Sequence, residues 1–316
     1  MRRYLFERIG QALIVLWAAY TATFLILYLL PSNPIALRLS GANVQVQDLT
    51  PAQLAQLEAQ YGLNKPVAEQ YFSMLWNALH LNFGQSTSLS LPVSTVLAQR
   101  LPTTVTLAGF AVLFMLVLGF GVAYAAAWAQ WRPAKAVLSR LPAIGVSVPS
   151  FWVGLLLIQV FSFDLGWFPS TGSNGLSSYV LPAVSMALPA GAVLAQVLTS
   201  SFERTLREPY IATARAKGLS RGAIQFRHAL RNAALPTLTL LGLLIATAVT
   251  GAVIAETVFS ISGVGRLAQQ AVLSQDVPVV QAIVLVAAVL FVVVNLIVDL
   301  LYPLLDPRIA YTPKVV

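Results

Sequence analysis

The sequence predicts an all-α integral membrane protein that crosses the bilayer six times. Hydrophobic residues make up 58% of its 316 positions and charged residues only 9%, whereas a soluble globular domain carries about 25% charged residues. Six apolar runs are each long enough to span a hydrocarbon core about 30 Å thick, which takes roughly 20 helical residues. The runs cover residues 9–30, 107–128, 143–163, 179–199, 236–255 and 279–301.

The first run follows "MRRYLFERIG", so the N-terminus has the order of charged and apolar residues found in a secretory signal peptide. The run 9–30 is longer than the usual h-region of about 7–15 residues. It ends in "LLPSNP", without small residues at a cleavage position. Residues 1–30 are therefore interpreted as a cytoplasmic end and a retained first transmembrane helix.

Residues 31–95 are too many for a simple turn, and their pattern predicts a small extracytoplasmic helical subdomain. "TPAQLAQLEAQYG" indicates a helix with Thr50 as its N-cap, Gln53 completing a capping box and Gly62 at its end. A second helix is predicted from Pro66, and the subdomain is expected to lie on the membrane surface or on the chain's own spans. One face of this second helix contains Val67, Tyr71, Met74 and Ala78.

Residues 96–305 form the predicted core of five spans, and a cytoplasmic tail follows at 306–316. Small residues let transmembrane helices approach closely, and this is expected at Gly109, Gly119 and Gly121. Irregular backbone at membrane depth occurs where it is buried in protein or lines a cavity. Prolines in the core therefore indicate either a water-accessible path or ordinary kinked helices; they are Pro142, Pro149, Pro182 and Pro189.

The distribution of basic residues predicts the orientation of the chain. Positive charges are enriched on the cytoplasmic side of membrane proteins. If the N-terminus is cytoplasmic, only four of the 19 Lys and Arg residues lie outside: Arg38, Lys65, Arg100 and Arg266. Both termini are therefore expected in the cytoplasm. The net charge of +8 is interpreted as a topology signal and not as a nucleic-acid surface, because nearly every basic cluster adjoins a span.

No catalytic or metal-binding constellation is predicted. His80 and His228 fall in loops on opposite sides of the membrane, and Asp164, Glu256 and Asp299 fall near span ends, unlike the mid-membrane relays of ion-coupled carriers. None of the four lysines follows a glycine, so a phosphate-binding G-x-x-x-x-G-K-[ST] loop is impossible. The energy for transport would come from the solute gradient or from a partner.

The most basic loop lies between the fourth and fifth runs and predicts a short helix. Pro209 suits the first turn of this helix, and Gly218 suits its end. Small side chains at Ala212, Ala214 and Ala216 would let it seat closely in a groove of another protein. Arg215 and Lys217 would provide charge pairing at the rim of that groove. The alternative is a solvated loop whose charges only fix the topology.

Several stretches, including this loop, closely resemble permease subunits of binding-protein-dependent ABC importers, in the oligopeptide and dipeptide branch. The loop contributes "YIATARAKGLSRGAIQFRHALRNAALP". The other stretches are "YGLNKPVAEQYFSMLWNALHLNFGQS", "RLPTTVTLA", "SVPSFWVGLLL", "GAVIAETVFSISGVGRLAQQAV" and "VNLIVDLLYPLLDPR". The resemblance covers nearly the whole chain, and the long insert after the first span resembles the B-type subunit.

The resemblance implies the type I importer permease fold in a bacterial or archaeal cytoplasmic membrane. It implies a second, related permease, one or two ATPase subunits that bind ATP and Mg, and an extracytoplasmic substrate-binding protein. No catalytic, cofactor or metal site is implied in this chain. The short helix would be the coupling helix that docks on the ATPase, formed by Pro209, Tyr210, Ala212, Thr213, Ala214, Arg215, Ala216, Lys217 and Gly218.

Two departures from the family pattern change what the resemblance implies. The general motif begins with a glutamate, whereas this chain has Ala212, Thr213 and Ala214, which removes an acidic docking contact. Ser262 replaces the usual proline in a loop that the resemblance connects with the binding protein. The residues singled out in that loop are Glu256, Gly263, Gly265 and Arg266.

Di- and oligopeptides are the expected solutes. The same architecture carries glutathione, nickel chelates, haem or antimicrobial peptides in relatives, and these stay open as alternatives. A secondary carrier or channel is a more distant alternative, since it would require mid-membrane ionisable groups or pore-lining rings.

Overall fold

The computed structural model describes residues 2–29, 50, 52, 65–172 and 175–305. Within these residues helices are the regular elements, and the paired extended residues are Gln85 and Pro92, in an isolated antiparallel bridge. Apart from residues 50 and 52, the helix predicted at 50–62 lies outside the described residues, as does the tail at 306–316. The expectation of an all-α chain is confirmed.

Ten α-helices are described along the chain. Two of them adjoin π-helical segments: Ile158–Asp164 continues α5, and Ile224–Ala229 precedes α8. The helices are α1 (Arg2–Leu29), α2 (Val67–Leu79), α3 (Val93–Trp128), α4 (Arg132–Ser147), α5 (Ser150–Leu157), α6 (Val180–Thr205), α7 (Pro209–Ala216), α8 (Leu230–Val258), α9 (Val264–Leu273) and α10 (Val277–Leu305). One further helical turn, Arg221–Ala223, lies just before the second π-helical segment.

Four continuous helices and two bent pairs account for the six predicted spans. The continuous helices α1, α3, α6 and α10 are each long and apolar enough to cross a bilayer. The first bent pair, α4 with α5 and its π-helical extension, turns by 99°, and the second, Arg221–Ala234 with Pro236–Ala248, turns by 53°. The third predicted run is therefore divided, because Pro149 disfavours helical backbone at Val148, which has φ −93° and ψ 125°.

The chain divides into two compact units. The first comprises Met1–Thr104 and Ser262–Val292, and the second comprises Val105–Ile261 and Val293–Val316. In the first unit, the start of α3, α9 and the start of α10 share a core that includes Val93, Leu97, Leu267 and Val279. In the second unit, α6 packs against α4, α5 and α8.

Within the first unit, α2 rests on α1, as expected for one of the two predicted arrangements. The Tyr71 hydroxyl lies 2.7 Å from the Thr21 hydroxyl, and the Tyr71 ring lies 5.2 Å from the Phe24 ring. Of the four residues predicted to share one side of this helix, Tyr71, Met74 and Ala78 are partly buried and Val67 is exposed. Gln70 occupies the buried position in the first turn instead, and its Nε2 donates to the Lys65 carbonyl over 2.8 Å.

Close helix approach through glycine is confirmed at only one of the three predicted positions. A Cβ atom at Gly119 of α3 would lie 2.6 Å from Leu194 Cδ2 of α6. At Gly109 and Gly121 a Cβ atom would meet nothing within 4 Å. At Leu194, therefore, α3 and α6 leave no room for a side chain at position 119.

Candidate functional site

The helix predicted after Pro209 is present as α7. Glu208 before it is extended, with φ −66° and ψ 144°, and Pro209 takes the first helical position. Gly218 has φ +77°, a left-handed conformation that glycine adopts without steric cost. The Gly218 amide donates to the Arg215 carbonyl over 2.9 Å, so the chain turns sharply away after Lys217.

The two sides of α7 have different surroundings. Ile211 and Ala214 are buried, with 1% and 7% of their surfaces exposed, in a core that also contains Phe202 and Ile224. The side that another protein can contact is exposed and is formed by Pro209, Tyr210, Ala212, Thr213, Arg215, Ala216, Lys217 and Gly218.

The burial of Ala214 corrects the interpretation of the three alanines as one surface. Residues two apart on a helix point to nearly opposite sides, whereas residues four apart share a face. Ala212 and Ala216 therefore belong to the exposed side, and Ala214 belongs to the internal core. A charge at Ala214 would perturb this core directly, so that substitution does not test docking alone.

Tyr210 ties α7 to the helix that follows it. The Asn232 Nδ2 donates to the Tyr210 hydroxyl over 2.7 Å, and that hydroxyl donates to the His228 carbonyl over 3.5 Å. Together with the burial of Ile211, these contacts hold α7 on the beginning of α8. The short helix is part of the packed second unit and is not a free loop.

The four residues singled out after the fifth apolar run lie in different elements of the structure. Glu256 lies in the last turns of α8 and is fully buried, and its carbonyl accepts the Ile261 amide over 2.8 Å. Gly263 precedes α9, and Gly265 lies in its first turn, both buried, whereas Arg266 is partly exposed. Glu256 belongs to the second unit, and the other three residues belong to the first.

The motif "RLPTTVTLA" supplies a cap for α9. The Val264 amide donates to the Thr104 hydroxyl over 2.8 Å, although the two residues are 160 positions apart. The first amides of a helix lack partners within the helix, so Thr104 satisfies one of them. Gly263, with φ −107° and ψ −173°, is in ordinary extended backbone, and its place does not require glycine for conformational reasons.

Asp276 is a structural residue that no motif in the sequence singled out. It is fully buried, and its Oδ2 accepts hydrogen bonds from the Ser86 hydroxyl at 2.5 Å, the Ser88 hydroxyl at 2.7 Å and the Ser88 amide at 3.1 Å. Its Oδ1 accepts the Val279 amide over 3.4 Å and so caps α10. The signal available in the sequence was an aspartate directly before an apolar helix with proline at its second position.

The electrostatics of Asp276 follow from these contacts. Burial alone would raise the pKa of the carboxyl, but hydrogen bonds from Ser86, Ser88 and the Thr87 backbone offset it, and the pKa lies below its ordinary value. Asp276 therefore stays ionised and links the segment 86–88 to the start of α10.

A cavity of about 240 Å³ lies beside the bend at Pro149. Val148 and Ser150 on either side of the bend line it, and α3, α6 and α8 form its other walls, including Met186 and Thr247. This arrangement agrees with the expectation that irregular backbone at membrane depth lines a cavity. The wall of this cavity, within the second unit, therefore contains the polar residues Ser150 and Thr247 among mostly apolar ones.

A helical chain with several apolar spans, bent helices at a cavity and an exposed basic helix before its fifth span has the architecture of a polytopic membrane transport subunit. The chain belongs to the family of binding-protein-dependent transport system inner membrane components, whose profile matches residues 115–311. The N-terminal profile of the same family matches residues 1–108. The resemblance identified in the sequence is confirmed, and the chain is a permease subunit of an ABC importer.

Proteins similar to this chain match it over nearly its whole length. A Brucella abortus (strain 2308) protein assigned as a peptide transport system permease is 36% identical over 98% of this chain and 100% of its own length. A glutathione transport system permease of Salmonella choleraesuis (strain SC-B67) is also 36% identical, over 98% of this chain and 100% of its own length.

The fold also matches solved structures. One chain from inward-facing structures of the MetNI methionine ABC transporter superposes with a TM-score of 0.57 at 16% identity. The match covers 67% of this chain and 96% of that chain. The type I importer permease fold is thereby confirmed.

Proposed function

We propose that this permease subunit forms half of a translocation pathway for di- and oligopeptides and is driven by a separate ATPase that docks on α7. The solute class is supported by the two relatives described above, since glutathione is itself a tripeptide. The cavity beside Pro149, which Ser150 and Thr247 help to line, supplies surface that a peptide backbone can approach.

The exposed side of α7 carries the docking proposal. Ala212 and Ala216 offer a shallow surface without bulky side chains, and Arg215 and Lys217 add positive charge beside it. Ile211 and Ala214 anchor the opposite side in the second unit. Because one side of α7 is packed into the second unit and the other side is free of bulky side chains, a partner bound to α7 could move the helices packed against it.

The proposed assembly is the one that membership in this family implies, and the absence of a G-x-x-x-x-G-K-[ST] motif from the sequence agrees with it. One or two ATPase subunits would bind ATP and Mg, a second and related permease would complete the pathway, and an extracytoplasmic binding protein would deliver the solute. The chain would cross a bacterial or archaeal cytoplasmic membrane with both termini inside, which places α7 on the side where ATP is available. The uneven distribution of basic residues supports this orientation.

The docking proposal is tested by placing a carboxylate on the exposed side of α7. Ala212→Glu should reduce the ATPase activity that copurifies with the tagged chain at least tenfold, because the charge and bulk would prevent close seating. Ala136→Glu is the matched control, since Ala136 is an exposed alanine of α4. Equal ATPase recovery with both variants, at equal permease yield, would contradict the docking assignment.

A further inference from the structure

The segment that follows α7, residues 221–229, is hydrogen-bonded to the C-terminal end of α3. The Gln225 Nε2 donates to the Ala127 carbonyl over 2.8 Å, and the Arg221 guanidinium donates to the same carbonyl over 3.3 Å. Ala127 is the penultimate residue of α3. The last carbonyls of a helix have no partner within it and carry the negative end of its dipole, so both donors satisfy a group that would otherwise lack a helical partner.

Aromatic contacts surround this pair of hydrogen bonds. The Arg221 guanidinium lies 5.5 Å from the Trp128 ring centroid, within the range of a cation–π contact. The Phe226 ring meets the Tyr124 ring edge-on, with centroids 5.7 Å apart. Residues 221–226 therefore hold the last turn of α3 through both polar and aromatic groups.

Gln225 is more deeply buried than a simple helix cap requires. Only 1% of its surface is exposed, and its Oε1 has no hydrogen-bond partner. A buried acceptor without a donor destabilises the fold by about 1–3 kcal/mol. The side chain is therefore not optimised for stability, and the bond from its Nε2 to α3 is the favourable contact that it provides.

The same segment is continuous with α7. Ile224 and Ala229 share a core with Ile211 and Ala214 of α7, and the His228 carbonyl accepts the Tyr210 hydroxyl. Residues 221–229 therefore contact both α7 and the C-terminal end of α3, and they connect the two helices through packed side chains and hydrogen bonds. All of these residues belong to the second unit.

We propose that Arg221 and Gln225 form a latch that makes α3 move with α7 when the ATPase moves α7. This rests on the proposed function, and both are positioning residues because they act through the Ala127 carbonyl. The latch connects the coupling loop to a span that precedes it by about 90 residues in sequence, since the hydrogen bonds join positions 94 and 98 apart. Without it, hydrolysis of ATP would continue while movement of α3 is lost.

Gln225→Met separates this role from folding. Methionine has similar length and removes the Nε2 donor together with the unpartnered Oε1, so the variant should fold. In proteoliposomes of the native complex, labelled tripeptide taken up per ATP hydrolysed should fall at least tenfold, with ATPase copurification unchanged. Gln159→Met is the matched control, because Gln159 lies in the other π-helical segment, is exposed, and donates to Asp164 over 3.1 Å.

A distance measurement decides the proposal whichever solute is carried. The chain contains no cysteine, so Gln130→Cys and Arg227→Cys, both at exposed positions, can carry two spin labels. The distance between them should stay within about 2 Å in the nucleotide-free and ATP-trapped complexes, and Gln225→Met should broaden it or shift it between the two states. A change of more than about 5 Å without the Met substitution would overturn the latch, as would normal coupling in Gln225→Met. Failure of the unsubstituted chain to recover any ATPase would instead contradict the proposed function.

Discussion

Asp276 shows how a single residue organises a long segment of the first unit. It lies 190 residues from Ser86 in sequence, yet its carboxylate accepts hydrogen bonds from the Ser86 and Ser88 hydroxyls. The same carboxylate also caps α10. Its carboxylate is buried among hydrogen-bond donors, and these donors compensate its charge. The segment after α2 is held by this one side chain at several points.

Replacing Asp276 should destabilise the first unit. Asp276→Ala leaves buried donors without an acceptor, which costs about 1–3 kcal/mol for each group, so the thermal midpoint in mild detergent should fall by several degrees. Asp164→Ala, at an exposed aspartate, should change it little. Equal midpoints for the two variants would show that the hydrogen bonds to Asp276 contribute nothing.

The depressed pKa of Asp276 also predicts a pH dependence. A carboxyl whose folded pKa is below its unfolded value, ordinarily about 3.9, stabilises the fold fully above that unfolded value. This contribution is lost as the pH falls through the folded pKa. The protection of the residue 84–92 amides from hydrogen exchange, relative to their intrinsic exchange rate at each pH, should therefore fall on acidification below about pH 4 in the unsubstituted chain. Asp276→Asn should remove that dependence. An unchanged acid response in the Asn variant would assign it to another group.

At the residue level, the sequence predicted residues that act on their own backbone, but it did not predict residues whose hydrogen-bond partners are distant in sequence. Pro209 and Gly218 marked the two ends of α7 correctly, because proline and glycine act on their own backbone. The roles of Asp276, Gln225 and Thr104 depend on partners roughly 100 to 190 positions away. A single sequence does not state which residues fold together at that separation.

At the scale of elements, composition predicted where helices cross but not how they bend or which face they bury. The third apolar run was recognised by length, yet it contains a 99° turn between α4 and α5. The alanines of α7 were recognised as small, yet α7 buries Ala214 and exposes Ala212. Both differences arise from geometry, the first from the restriction before Pro149 and the second from the 3.6-residue period of the helix.

The contact between α3 and α6 gives a test at this scale. Gly119→Ala would place a Cβ atom 2.6 Å from Leu194 Cδ2, and Leu194 is fully buried. The Leu194 side chain or the helices themselves would have to shift, at a cost of about 1–3 kcal/mol, and the thermal midpoint should fall. Gly121→Ala is the matched control, since a Cβ atom there meets nothing within 4 Å. A stable Gly119→Ala variant would mean that α3 and α6 can readjust freely.

At the scale of the whole molecule, the all-α class, the spans and the family were all available from the sequence. The apolar runs set the number of spans, and motifs scattered from residue 61 to residue 308 pointed to one family. The internal organisation required the structure, because the division into two units follows long-range contacts such as Thr104 with Val264. The proposed route from α7 to α3 is likewise a property of the folded chain.

We propose that this chain is the membrane subunit of a transport complex whose ATPase is a separate protein. The most direct test is to purify the tagged chain in mild detergent, identify what accompanies it and measure ATP hydrolysis. We expect a second permease and one or two ATPase subunits, with activity stimulated by a binding protein loaded with peptide. Recovery of the stable chain alone, without ATPase activity under conditions that preserve complexes, would contradict the claim.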